Sequence, residues 1–207
     1  TEYSAESHWD LITAVTGIHV GVDSPEEVKT RASRAFVKAW NYDFFWSTLI
    51  SNGEFGDKAT DMGHAEYAAG GVDRRDTIFC PYKDPEQVLS FDPWEALGEK
   101  DRAELTRRFE THYQANVKAH PTGVSMTGIY VTMISGFIAL FGWDMLLLAA
   151  GTDQERFGAL ANRYASWIQQ FFDARATAEV PLVMAHEDIV WTSGAIWHPD
   201  FYRIDTA

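Results

Sequence analysis

The chain has 207 residues, 46% of them hydrophobic and 14% aromatic, which is ample for one ordinary domain core and argues against disorder. Its 17 Lys and Arg stand against 30 Asp and Glu, a formal charge of -13; that field repels phosphate backbones and anionic surfaces, so neither nucleic acid nor membrane is expected as a partner. Cys80 is the only cysteine, which excludes an internal disulfide and a zinc site of several thiolates and fits a reducing, cytoplasmic setting.

The N-terminal TEYSAESHWD carries neither the basic nor the apolar part of a secretory signal. Ser24-Pro25-Glu26-Glu27 reads as a helix start, with a capping serine, proline at the first helical position and acids in the first turn; the helix should run to about Trp40. Tyr42 to Ile50 is an aromatic and β-branched run of strand length, closed by Asn52-Gly53. From Gly53 to Arg75 glycines and polar residues show no clear period, the texture of a long irregular excursion of the kind that often carries function.

Asp84-Pro85-Glu86 opens a short helix that Phe91-Asp92-Pro93-Trp94 interrupts. Lys100 to Lys118 carries Leu105, Phe109, Tyr113 and Val117 at intervals of four, one amphipathic helix, which His120-Pro121-Thr122-Gly123 stops. Val124 to Thr132 is a second strand, with Tyr130 and Thr132 at its far end. Ile129 to Ala150 is nearly as apolar as a membrane span of about 20 residues, but Ser135-Gly136 and Gly142-Trp143-Asp144 break it and no basic cluster flanks it, so buried elements of a soluble fold are expected. A helix capped at Thr152 runs to about Ala178, with Phe157, Leu160, Tyr164, Ile168 and Phe171 on one stripe. Val180 to Ala185 suits a parallel strand buried on both faces, and His186-Glu187-Asp188 follows at its carboxyl end. Strands alternating with helices point to a parallel α/β fold, whose ligands sit at such ends. No repeat or linker divides the chain, so a single domain over 1–207 is expected. With no initiator Met, and a last segment that stops just after Pro199 opens what reads as a helix, both ends read as cut.

The order of these segments resembles the uroporphyrinogen decarboxylase superfamily, which also contains cobalamin-linked methyltransferases. The resembling parts are Tyr42-Asp43-Phe44, taken as ending the first strand region, Cys80 to Val88, Thr127-Gly128-Ile129-Tyr130 leading to Phe141-Gly142-Trp143-Asp144, His186 to Gly194, and His198-Pro199-Asp200-Phe201-Tyr202. The resemblance implies an α/β fold of the (β/α)8 TIM-barrel type, about 340 to 380 residues in all, of which this chain supplies only the first half. Raw sheet edges must be paired or covered, so either the polypeptide continues past Ala207 or a second chain, as in a homodimer, completes the sheet.

The resemblance implies two chemistries. In the methyltransferase branch, a zinc bound by a His-x-Cys motif and a later Cys activates a thiol acceptor and a corrinoid protein is the partner; those ligands belong to the second half of the barrel, so no cofactor is expected within this chain. Glu187 and Asp188 would be the strand-end acidic pair that orients the substrate. This branch is favoured. In the decarboxylase branch, Asp43 would face the pyrrole nitrogens of a porphyrinogen and stabilise the cationic intermediate before carbon dioxide leaves, but the N-terminal arginine pattern of those carboxy-lyases is not visible. Substrate-binding candidates are His186, Tyr130, Thr132, Trp191 and Trp197, with Tyr130 and Thr132 read as pocket wall or core, and the two tryptophans either as an aromatic wall for a flat small-molecule substrate or as packing for the loop they bracket. Asp188 could equally brace a loop, and Asp43 could be a paired buried carboxylate. His64 and His198 lack ligand spacing. His186-Glu187-Asp188 lacks the second histidine of a metalloprotease helix, and no nucleophile elbow, P-loop or dinucleotide fingerprint occurs. A non-catalytic binding or assembly subunit is the further alternative.

Overall fold

The computed structural model describes residues 8–61, 79–187, 189–191 and 194–201, and the chain divides into two units, Thr1–Phe45 with His120–Val124, and Trp46–Ala119 with Ser125–Ala207.

In the first unit α1 (Trp9–Thr16) and α2 (Glu26–Trp40) pack around Ile12, Ala32 and Phe36. α1 ends at Gly17 with φ 70° and α2 at Asn41 with φ 49°, the left-handed turn that Gly or Asn tolerates best. Ser24 does not cap α2, as its sequence position suggests. Pro25 takes the cap position, with its carbonyl accepting Val28 N and Lys29 N, and the Ser24 hydroxyl instead accepts Gly21 N at 3.0 Å. His120 lies flat on Phe45, with ring centroids 4.0 Å apart.

The second unit is mixed α/β. The sheet, of which all but Phe44, Phe45 and Val124 belong to this unit, has the order β1 (Phe44–Ile50), β2 (Val124–Ile129), β3 (Val183–Ala185), with β2 and β3 parallel and in the register Thr127 to Val183, Gly128 to Met184 and Ile129 to Ala185. The connection from β1 to β2 holds α3 (Pro85–Leu89), α4 (Pro93–Leu97) and α5 (Arg102–Ala119), and that from β2 to β3 holds α6 (Met133–Thr152) and α7 (Gln154–Thr177). Asp84 caps α3 through Glu86 N, and Asp92 caps α4 through Trp94 N and Glu95 N. The interruption expected at Phe91 to Trp94 is therefore a second short helix. The long helix begins one residue later than expected: Asp153, not Thr152, accepts Arg156 N, while the Thr152 hydroxyl bonds back to Leu148 O. Its stripe, Phe157, Leu160, Tyr164, Ile168 and Phe171, is buried.

The start of the excursion after Ile50 is ordered: Asn52–Lys58 is a 3-10 segment held by Glu54, whose carboxylate meets Arg108 at 2.6 Å and Lys100 at 3.4 Å. The rest of it, from 62 to 75, lies outside the described residues. The apolar run is helical from Met133, so Ser135-Gly136 does not break it, but Gly142, at φ 73° and ψ 164°, does. That helix is long and apolar enough to span a bilayer, with mean hydropathy 1.8, yet 61% of its apolar window is buried inside the fold.

Side chains alternate across a strand. On β2, Ser125, Thr127 and Ile129 are buried, and Ile129 joins Phe109, Phe137, Leu160 and Tyr164 in the core. On β1 and β2 the other face is more open, with Thr48 exposed and Met126 and Tyr130 half-buried around a buried Gly128, whereas on β3 Val183 and Met184 are both half-buried and Ala185 is exposed. β3 is the shorter strand and has no residue in the buried class, so the expectation of a strand buried on both faces is corrected. After it, β4 (Val190–Trp191) and β5 (Gly194–Ala195) form a small antiparallel hairpin.

Candidate functional site at the strand ends

The ladder runs past the strand ends. Tyr130 N donates to Ile50 O at 2.7 Å and His186 N to Ile129 O at 3.0 Å, which sets the residues following β2 and β3 side by side. Thr132 is the cap residue of α6 but makes no side-chain cap bond; its hydroxyl is turned to β3 and donates to the carbonyl of His186. Glu187 replaces it. One carboxylate oxygen accepts Met133 N at 2.8 Å, and the other accepts Ile134 N at 2.8 Å and Ser135 N at 3.0 Å. The first helical turn thus receives both its acceptors and its negative charge from the end of another strand.

Beside this clamp three rings align. His186 stacks on Tyr130 with centroids 4.2 Å apart and planes 7° apart; Trp46 lies 6.2 Å from Tyr130 and 6.0 Å from His186, at 9° to each. The indole rests over Gly128, where a Cβ would come within 2.0 Å of Trp46 Nε1. His186 Nδ1 is 3.5 Å from the Ser135 hydroxyl. Under the same turn of α6, Tyr164 is fully buried, and its hydroxyl is held protonated, first by burial and then by the charge of Glu187.

Four of the sequence candidates, Tyr130, Thr132, His186 and Glu187, therefore meet. Asp188 lies outside the described residues, as do His64 and the side chain of Trp191. Trp197 is half-buried and packs on Phe157 at 5.8 Å and Phe201 at 4.9 Å, part of the helix-layer core. Asp43 does not end a strand; it precedes Phe44, the first residue of β1, and its carbonyl accepts Val124 N at 2.7 Å. His198 is exposed and faces Asp200 at 3.3 Å. Sequence reasoning missed Trp46 and Ser135. A glycine inside a strand pattern signals close approach of another group, so Gly128 was the clue to a bulky neighbour.

Among the described residues no three His, Cys, Asp or Glu side chains are placed to hold a metal ion, and the Cys80 thiol donates to Phe141 O at 3.2 Å. The described residues do not fit a zinc site. Protein-family models, curated proteins and solved structures were compared with the chain, and none matches it.

Proposed function

We infer that the chain provides early strands of a (β/α)8 barrel of the uroporphyrinogen decarboxylase superfamily, and that the whole polypeptide works as a corrinoid-linked methyltransferase. The observation that carries this reading is the meeting of Tyr130, Thr132, His186 and Glu187 where β2 and β3 end, the place where parallel α/β folds take their ligands. Support also comes from the helical connections between the strands and from a sheet with one buried and one half-open face. Parallel sheets are ordinarily covered on both faces, and the early strands of a barrel leave their inner face for the later ones to close. In this reading zinc and its ligands come with the remaining polypeptide. Asp43, at the amino end of β1, gives the carboxy-lyase alternative less support.

One observation favours a second reading, a non-catalytic small-molecule binder: both oxygens of Glu187 are engaged by helix amides, which leaves that carboxylate little to offer a substrate. The test is made on the native polypeptide, isolated without proteolysis. Transfer of the methyl group of methylcobalamin to a small thiol, with bound zinc, is the expected result. Carbon dioxide release from uroporphyrinogen would move the assignment to the carboxy-lyase branch, and neither activity would leave the binder.

A further inference from the structure

We propose that the groove between β1 and α5 is a docking site for a short acidic segment of a partner protein, bound in extended form. The proposal is independent of the strand-end cluster and of any chemistry there. The groove, about 570 Å3 in volume, is lined by Leu49 of β1 and by a stripe of α5 that includes Glu104, Arg107, Arg108, His112 and Ala115. From Glu104 to Ala115 the helix rises about 16 Å, the length of about five residues of extended chain. β1 lies at one edge of its sheet, and α5 reaches that strand through His112, whose Nε2 donates to Ser47 O at 3.2 Å.

Charge selects the occupant. The whole chain carries -13, yet cations outnumber acids along this groove. The carboxylate of Glu54 meets Arg108 at 2.6 Å and Lys100 at 3.4 Å, so one negative charge is shared between two positive ones. Arg107 is exposed and makes no hydrogen bond or ion pair among the described residues. Glu104 is the one acid in the lining and stands at one end of the stripe. Leu49 and Ala115 add apolar surface beside the arginines. An acidic side chain set against Arg107 and Arg108, with an apolar neighbour against Leu49, matches this pattern, and a basic segment opposes it. Because the summed field of the chain repels acids, an acidic ligand that binds here is held by the local pattern.

The probe is a blocked pentapeptide of alternating leucine and glutamate, and the same peptide with lysine in place of glutamate is the control. In nitrogen-15 amide spectra of the 207-residue chain, the acidic peptide should shift Ser47 to Leu49 and Arg107 to Ala115, and added salt should weaken it. Arg107→Glu should weaken binding roughly tenfold, and Arg107→Lys should keep most of it. Arg107 is exposed and unpaired, so both variants should fold, which far-ultraviolet circular dichroism checks. No shift at millimolar peptide, shifts centred elsewhere, equal shifts from the lysine peptide, or unchanged affinity in Arg107→Glu would each overturn the docking site. The same shifts from inorganic phosphate alone would reduce the groove to a simple oxyanion site and overturn the peptide. Binding to this chain that disappears in a longer native polypeptide would show that the groove is filled from within, and would overturn a separate partner. Methyl transfer or its absence leaves each of these outcomes unchanged, so the enzymatic reading and the docking site fail separately.

Discussion

Ser135 donates its backbone N–H to Glu187 at 3.0 Å, and Met133 and Ile134 add their own amides to the same carboxylate. α6 has no acid in its first turn, and its cap residue Thr132 makes no side-chain cap bond, so the helix start depends on Glu187. Removing the carboxylate with Glu187→Ala should cost about 1 to 2 kcal/mol, the range of a lost cap plus a lost dipole partner. Glu187→Gln, which keeps an acceptor oxygen but no charge, should cost about half of that. Denaturant midpoints measure both. An alanine variant as stable as the native protein would mean that water serves these amides equally well.

Gly136 and Tyr164 test the packing under the same turn. A Cβ at Gly136 would lie 2.0 Å from the Tyr164 hydroxyl, and that hydroxyl is buried without a partner among the described residues. Gly136→Ala should therefore destabilise by about 1 to 3 kcal/mol, outweighing the roughly 1 kcal/mol that alanine ordinarily gains over glycine in a helix. Tyr164→Phe alone should be close to neutral, since an unpaired hydroxyl is lost. Combined, the two changes should cost clearly less than their sum, because the worst approach, 2.0 Å to the hydroxyl, is gone and only the milder one, 2.9 Å to the ring Cζ, remains. Additive costs would show that the clash is relieved elsewhere.

Local chemistry was legible where one residue decides a structure. Asp84, followed by Pro, caps its helix as the sequence suggests, and the stripe from Phe157 to Phe171 is the buried face of α7, whereas Asp92, read only as part of an interruption, has the same Asp-Pro pattern and caps a helix of its own. Thr152 misled because an equally good cap, Asp153, stands next to it, and Ser24 because its hydroxyl accepts Gly21 N instead, leaving α2 to start at Pro25 without a side-chain cap. The Ser135-Gly136 pair has the composition of a breaker, but it falls in the first turn of α6, where Glu187 from a distant part of the chain supplies the bonds. The candidate site was half legible. Strand-end position marked Tyr130, Thr132, His186 and Glu187, whereas Trp46 read only as one aromatic of a strand, since its approach to His186 spans contacts far apart in sequence.

The Gly142 kink makes a separate claim. Its φ of 73° and ψ of 164° belong to backbone that only glycine adopts at little cost. Two carbonyls just before it accept from outside the helix: Ala139 O from Thr60 N at 2.8 Å, and Phe141 O from the Cys80 thiol at 3.2 Å. Gly142→Ala should cost about 1 to 3 kcal/mol, and it should speed amide hydrogen exchange at Thr60 as the bend relaxes. If the variant keeps both its stability and the protection of Thr60, the bend is not held by the glycine.

His120 supplies the pH dependence of the first unit. Burial first, and the positive charge of Arg34 second, hold its imidazole below the ordinary value of 6.5, while it lies flat on Phe45 at 4.0 Å. The unfolded chain then takes up a proton at a pH where the folded one does not, so stability rises with pH across that interval. The contribution is complete above about pH 6.5 and is lost as pH falls through the lower folded value. His120→Gln should flatten this acid limb and leave the plateau at neutral pH nearly in place, read as unfolding midpoints across the range. Arg34→Gln should move the limb to lower stability loss, because one of the two causes is gone. An acid limb of the same steepness in His120→Gln would assign it to the carboxylates, which titrate lower, and not to this ring.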